Sequence, residues 1–526
     1  MSPSPSPSPP AAARPSSSPP PPLPPLEGTR RALGTFAVAL ATFMMVLDSA
    51  IANVSIPAIA GDLGVSPAQG TWVITSFGVA NAISVPLTGW LSQRFGQVRL
   101  FVSCVVLFVI FSWMCGAAPT IESLIIARIL QGLAAGPVIP LSQTLLLASY
   151  PRHMAGTALS WWSMTTLFAP VVGPLLGGWL TDNISWPWIF YINIPIGLLV
   201  VMVAWPIFRD RDQGPRRVPL DTVGLALLVI WVGALQLMVD TGKEHDWFES
   251  TGIVVLAVVA LVGFAVFIAW ELTEKNPIVN LRLFTERNFL LGTITVSLGF
   301  GLFFASIVLL PLWLQQTLGY TATWAGIALA PVGLFSILLS PFIGRMVGWI
   351  DPRRIASFGF LMFALVMAMR ANFTVDAPFM VIAIPTVIQG IAVACFFLPM
   401  QPLAYRNIPP HLMPYAAGMN NFMRMTAGAV ATSLCTTLWD HRTALHRAEM
   451  AERVNLADPA AQAWMEQSQA QGSSATQAMA SLSRILDQQA QTLAVTEVFL
   501  GAALVFLALI ALLWTLRWSP MLTRSS

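Results

Sequence analysis

Charge is what this chain has least of. Asp, Glu, Lys and Arg make up only 10% of its 526 residues, against 56% that are hydrophobic, and the mean hydropathy is +0.71. So few polar groups cannot coat a soluble globule, which leaves a polytopic membrane protein. Lysine is scarcest of all. Lys243 and Lys275 are the only two, and neither sits in the glycine-rich pattern of a phosphate-cradling loop, so the chain is not expected to hydrolyse ATP. The five histidines (His153, His245, His411, His441, His446) fall outside the expected spans, and no H-E-x-x-H or G-x-S-x-G occurs, which removes the machinery of an intramembrane hydrolase. Cys104, Cys115, Cys395 and Cys435 all lie in apolar runs, without the spacing of a zinc site or a disulfide framework. They read as small apolar filler. The chain is therefore expected to have no catalytic residues, no cofactor and no metal, and no part of it suggests nucleic-acid binding.

What it has in abundance is long apolar runs. Taking about 20 residues as one bilayer crossing, helices are expected near 32–56, 72–93, 98–118, 121–149, 155–181, 189–207, 222–240, 252–272, 290–315, 322–347, 354–372, 377–405, 415–438 and 495–517. Residues 1–30 begin as a Pro/Ser-rich tail that cannot build a core and is expected to be disordered. No charged start leads into a short apolar region and cleavage site, so the tail does not read as a signal peptide.

Arginine placement supports fourteen spans. With the N-terminus in the cytoplasm, nearly all arginines of the short loops fall inside, from Arg30 and Arg31 through Arg94, Arg99, Arg209, Arg353 and Arg354 to Arg517. The short outer loops then hold only Lys243 and Arg370, as the positive-inside rule requires. Removing any one helix would reverse every later loop. Both termini, including the tail 518–526, are thus expected in the cytoplasm.

The chain also carries a partial copy of itself. "PLTGWLSQRFGQVRL" from Pro86 matches "PFIGRMVGWIDPRRI" from Pro341, "ILQGLA" (129–134) matches "VIQGIA" (387–392), and Ala155–Gly156 matches Ala417–Gly418. Helix 2 then corresponds to helix 10 and helix 4 to helix 12, in the same orientation. The expected fold is all-α and polytopic: a six-helix bundle over 31–207, two inserted helices within 208–288, and a second six-helix bundle over 289–517 that includes the long outer loop 439–494. Parallel halves around a central cavity describe a rocking secondary transporter.

Without ATP, drive must come from an ion gradient, which needs an ionisable group within the membrane. Asp48 (helix 1), Arg128 (helix 4), Arg424 (helix 13) and Glu497 (near the outer mouth of helix 14) are the candidates. Charge at such depth is costly and normally faces a cavity or a partner. Asp48 and Arg128 both fall in the outer half of the first bundle, so they can pair; Asp48 is then either the proton carrier or half of a static pair. Arg424 could hold an anionic substrate, or pair with Glu497 or a backbone carbonyl. With Asn53, Gln131, Gln143, Asn420 and Asn421 it is a candidate to line a substrate cavity whose Phe and Met would accept apolar surfaces.

The stretch "TLFAPVVGPLLGGWL" (166–180) packs Pro170, Gly173, Pro174, Gly177 and Gly178 into nine positions of helix 5. Such a face admits close approach of a neighbour and a bend at the prolines. The second half has no equivalent cluster, which suggests a bendable seal between the halves.

These stretches together resemble the fourteen-helix drug:proton antiporters of the major facilitator superfamily, EmrB/QacA type. "LDSAIANVSIPAIAGDLG" (47–64) resembles the first-helix motif with its acid at Asp48. "GWLSQRFGQVRL" resembles the loop 2–3 motif, which places conformational roles on Gly89, Arg94, Gly96 and Arg99. "RILQGLAAG" is similar to the helix-4 motif and "GPLLGG" (173–178) to the antiporter motif. "WPWIFYINIPIG", "LMVDTGKEHDWFES" and "GMNNFMRMTAGAVATS" extend the resemblance, which runs from about 32 to 517. One departure is Gln93, where the loop motif usually has an acid.

The resemblance implies export of drugs in exchange for protons from a multi-pass position in a bacterial inner membrane. It further implies a periplasmic membrane-fusion adaptor and an outer-membrane channel as partners. Loop 439–494, rich in Ala, Gln, Glu and Met, reads as helical and either docks that adaptor or forms a self-contained cap. A symporter importing a small organic solute on the same fold is the competing reading.

Overall fold

The computed structural model describes residues 24–151, 154–212, 219–347, 349–454 and 459–517. Most of the expected N-terminal tail and the whole C-terminal tail lie outside them. Among the described residues all regular structure is helical. The first part of the chain forms α1 (Gly28–Asp62), α2 (Pro67–Gly70), α3 (Trp72–Ser84), α4 (Thr88–Phe95), α5 (Gln97–Gly116), α6 (Ile121–Ala135) and α7 (Val138–Ser149). There follow α8 (Ala155–Asn183), α9 (Trp188–Tyr191), α10 (Asn193–Phe208), α11 (Thr222–Thr241) and α12 (Thr251–Thr273). The remainder forms α13 (Arg287–Gln316), α14 (Ala322–Met346), α15 (Pro352–Arg370), α16 (Phe379–Ala404), α17 (Met413–Arg453), α18 (Pro459–Ala470) and α19 (Ala475–Trp514).

Each of the fourteen expected positions holds helix. Among the described residues, eleven segments are long and apolar enough to cross a membrane, and a twelfth is the pair α3–α4, bent by 64°. The other two, α8 and α17, fall outside that set: several side chains of α8 are not described, and α17 carries Asn420, Asn421 and Arg424 along its course. Proline positions the breaks. Pro86 lies between α3 and α4 and Pro137 between α6 and α7, where a missing N–H and a fixed φ disfavour an unbroken ladder. The backbone of α8 is instead helical throughout Ala155–Asn183, although it contains Pro170 and Pro174. Membrane helices keep their course across prolines when neighbours satisfy the freed groups.

Two separate cores match the two halves. One gathers buried side chains of α1, α5, α7 and α10 around Phe101, Phe108 and Trp162; the other gathers α13, α15, α16 and α19 around Phe360, Phe363 and Phe396. A third cluster joins them: Trp231 and Phe267 of the inserted pair α11–α12 pack with Val85 beside α3 and with Tyr415 and Phe422 of α17. The segment read as outer loop 439–494 is mostly helix. α17 runs on to Arg453, α18 follows, and α19 begins at Ala475, capped by Ser474 and Gln477.

Candidate functional site

The charged cluster begins with Asp48, on α1 in the run "MMVLDSAIANV". It is fully buried, as are Arg128 and Gln131 of α6 and Asn193 at the head of α10. Arg128 Nη1 donates to Asp48 Oδ2 at 2.7 Å and to Gln131 Oε1 at 2.8 Å. Gln131 Nε2 and Asn193 Nδ2 donate to the other carboxylate oxygen at 3.1 and 2.7 Å. Arg128 Nε reaches the Val73 carbonyl at 3.0 Å, and its guanidinium lies over the Phe77 ring, 4.1 Å from the centroid. Three donors, one of them the Arg128 guanidinium, thus satisfy both oxygens of the buried carboxylate. The spacing of Arg128 and Gln131 at i and i+3 puts both on one helix face toward α1. Gly132, on the adjoining strip, lets α6 approach α3: a Cβ there would stand 2.5 Å from the Phe77 carbonyl oxygen.

The cluster belongs wholly to the first half. The repeat places Gln389 of α16 where Gln131 stands, and Gln389 Nε2 donates to Ser306 Oγ at 2.9 Å while accepting from Arg370 Nη2 at 2.6 Å. A hydroxyl thus takes the carboxylate's place in the second half. Arg370, expected in an outer loop, is instead completely buried at the end of α15, because the helix carries it back into the bundle against Phe499.

Between the halves lies a cavity of about 720 Å³, lined by α1, α3, α7, α8 and α11 on one side and α13, α14, α16 and α17 on the other. Phe300, Phe303, Phe304, Phe397, Met45 and Met425 give it an apolar wall. Arg424, Asp182 and Gln236 are its principal polar groups. Arg424 donates to Asn421 Oδ1 at 2.7 Å and sits over Phe300, 4.9 Å from the centroid. Met45 and Ser49 line the cavity from α1 while Asp48, between them in sequence, turns into the bundle. The coupling candidate and the binding cavity therefore share one helix but not one compartment.

The cavity reaches Asp182 near the end of α8 and Gly326 near the start of α14. At the opposite end the halves are pressed together. A Cβ on Gly89 would fall 2.1 Å from the Tyr415 ring, and one on Gly418 would fall 3.0 Å from the Val85 carbonyl. Asn421 Nδ2 donates across the junction to Gln143 Oε1 at 2.8 Å, while Asn420 Nδ2 donates within the second half to the Tyr405 hydroxyl at 2.9 Å. Gly96 (φ 89°) opens a turn onto Asp212, whose carboxylate accepts from Val98 N at 3.3 Å and lies 3.5 Å from Arg99 Nε. An acid from the loop after α10 thus serves a segment whose own motif has Gln93. Arg94 is exposed nearby.

The other expected positions lie elsewhere. Gln131 belongs to the charged cluster, and Gln143, Asn420 and Asn421 to the closed end. Asn53 is exposed and outside the cavity lining. Glu497 is far from Asp48: it accepts from Arg442 Nη2 at 2.9 Å and lies 3.1 Å from His446 Nε2, tying α17 to α19. Gly173 and Gly177 face α1, where Cβ atoms would meet Ala50 Cβ at 2.6 Å and the Ile51 carbonyl at 2.9 Å, and Gly178 lines the cavity. The side chains of Pro170 and Pro174 lie outside the described ones. Sequence reasoning missed Asn193, Ser112, whose hydroxyl accepts from Asn193 Nδ2 at 3.0 Å, and Asp212. The first two left a weak signal, as lone polar residues in apolar runs; Asp212, in a loop, left none.

The sequence pattern described as Major Facilitator Superfamily matches residues 38–432. The Multidrug export protein EmrB of Haemophilus influenzae is 50% identical over 492 residues, covering 93% of this chain and 96% of that protein. Its namesake in Escherichia coli (strain K12) is 49% identical over 491 residues, covering 93% and 96%. The Fatty acid resistance protein FarB of Neisseria gonorrhoeae is 46% identical over 491 residues, covering 93% and 97%. Among solved structures, the human organic anion transporter MFSD10 aligns with a TM-score of 0.59 at 12% identity, over 93% of this chain and 100% of that one. That likeness concerns the fold alone.

Proposed function

Because the chain belongs to the Major Facilitator Superfamily, we propose that it exports amphipathic and hydrophobic drugs across a bacterial inner membrane in exchange for protons. The observation that carries this reading is a fully buried carboxylate, Asp48, one helical turn from an apolar cavity between two parallel halves. Relatives named for multidrug export and fatty acid resistance, at 46–50% identity over nearly the whole chain, support the substrate class. A wall of Phe and Met with few polar anchors suits molecules that differ in shape but share apolar surface.

The mechanism follows from the two compartments. With the N-terminus in the cytoplasm, the cavity points outward and the Gly89–Tyr415 contact closes the inner end. Protonation of Asp48 removes the charge that holds Arg128 Nη1, so α1 and α6 lose their strongest tie. The first half can then settle into its other packing, in which the α4–α17 contact opens and drug enters from inside. A ligand shifts such an equilibrium only by its differential affinity for the two states; here the proton supplies it at Asp48 and the drug in the cavity. Arg424 gives the cavity one fixed cation, suited to the head group of an anionic amphiphile.

The α17–α18–α19 projection is the docking surface for a periplasmic adaptor of the membrane-fusion type, which passes drug to an outer-membrane channel. Its length and internal ties (Arg447 Nε to Asp487 at 2.7 Å, Arg442 to Glu497) suit a pre-organised surface. Everted vesicles test the function: adding drug to vesicles holding an acid interior should dissipate the pH gradient only when the protein is present. No drug-dependent dissipation across a chemically broad panel would overturn antiport.

A further inference from the structure

At the closed end, two carboxylates meet where the inserted helices join the halves. Asp221 caps α11, accepting from Gly224 N at 2.8 Å and from Trp270 Nε1 at 3.1 and 3.0 Å. Glu271, in the last turn of α12, is 3% exposed; its Oε2 accepts from Val279 N at 3.3 Å, and its Oε1 is buried with no hydrogen-bond partner. Both carboxylates converge on Gly224. A Cβ there would lie 2.2 Å from Asp221 Oδ2 and 2.8 Å from Glu271 Oε1. Among the described residues no ion pair is formed by either acid.

We propose that Glu271 is a second proton-binding site, in which a proton on Glu271 Oε1 is held beside the Asp221 carboxylate. A buried carboxylate oxygen with no donor, set beside a second acid and with no cation paired to it, is disfavoured as an anion, and a proton on Glu271 Oε1 removes that charge. The other titratable groups acting on Glu271 are Glu274 beyond the end of α12 and Tyr415 on α17. Neither is a cation. Asp48 is not involved, being buried within the first bundle among α6 and α10 side chains.

The site's position gives it a role. Val279, next to Glu271, belongs to the same buried cluster as Tyr415, Val85 and Phe267, and Tyr415 forms the Gly89 contact. Upstream of Asp221, the Pro219 carbonyl accepts from Trp90 Nε1 of α4 at 3.1 Å. Opening the inner end must move α4 and α17, hydrate Glu271 and release its proton to the cytoplasm. The inserted helices thereby make inner opening pH-dependent; this role rests on the export mechanism proposed above, whereas the proton-binding site does not.

Infrared titration of the purified, full-length protein tests this through the protonated-carboxyl C=O band. Wild type should show a titrating band that Glu271→Gln removes and that Asp221→Asn shifts to lower pH by one unit or more, because the neighbouring negative charge is gone. The band should persist in Asp48→Asn protein, which separates the site from proton-coupled export. A titration of wild type and Glu271→Gln that superimposes, or an unshifted band in Asp221→Asn, would overturn the site.

Discussion

At the level of single residues, the functional argument rests on a carboxylate with more donors than it needs to fold. Arg128, Gln131 and Asn193 satisfy both oxygens of Asp48. Asp48→Asn keeps an oxygen for Gln131 and Asn193 but leaves the buried Arg128 guanidinium without its counter-charge, so it should lower Tm as well as abolish uphill export; thermal melts and resistance assays read the two separately. Arg128→Ala removes all of the guanidinium's contacts and strands the carboxylate, at a cost of about 3–5 kcal/mol, so it should lower Tm and membrane yield at least as much. The Asp48–Arg128 pair was legible in the sequence because charges in apolar helices are expensive and few. Asn193 was not, because a neutral amide raises no such alarm and its partner is distant along the chain. Glu497 misled for a related reason. It belongs to an apolar run by composition, yet α17 extends far enough to bring Arg442 and His446 to it.

At the level of helices, glycine matters where backbones touch. Gly132→Val should destabilise the first bundle by about 1–3 kcal/mol, since the added bulk meets the Phe77 carbonyl and not a movable side chain. Gly178→Ala, which meets nothing within 4 Å, should leave the Tm unchanged and serves as its control. Gly89→Val should spare both bundles but part α4 from Tyr415; a cysteine placed at Gln143 should then react faster with a water-soluble maleimide added from the cytoplasmic side. Helix positions and order were readable from apolar run length, and the repeat pointed to the two halves, each with its own core. The breaks were less so. Proline clusters drew attention to α8, but the interrupted spans are those containing Pro86 and Pro137, because whether neighbours restore the lost hydrogen bonds is a tertiary matter.

At the level of the whole molecule, the halves are alike in fold and unlike in charge. The first holds an acid and a base; the second holds Arg370 with Gln389 and Ser306 in the corresponding place. Under the proposed mechanism a proton is carried at this position by the first half alone, while both halves line the cavity. The projection formed by the ends of α17 and α19 with α18 extends the second half and has no equivalent in the first. Removing 455–474, between α17 and α19, should leave drug-driven dissipation of the pH gradient intact in vesicles while reducing capture of the adaptor and whole-cell resistance; undiminished capture would place docking elsewhere. The most direct test of coupling through Asp48 is drug flux in proteoliposomes with an imposed pH gradient and no other ions moving. Wild type should accumulate drug against its concentration gradient, and Asp48→Asn should only equilibrate it. Accumulation by the Asn protein at the wild-type level would contradict Asp48 as the proton carrier.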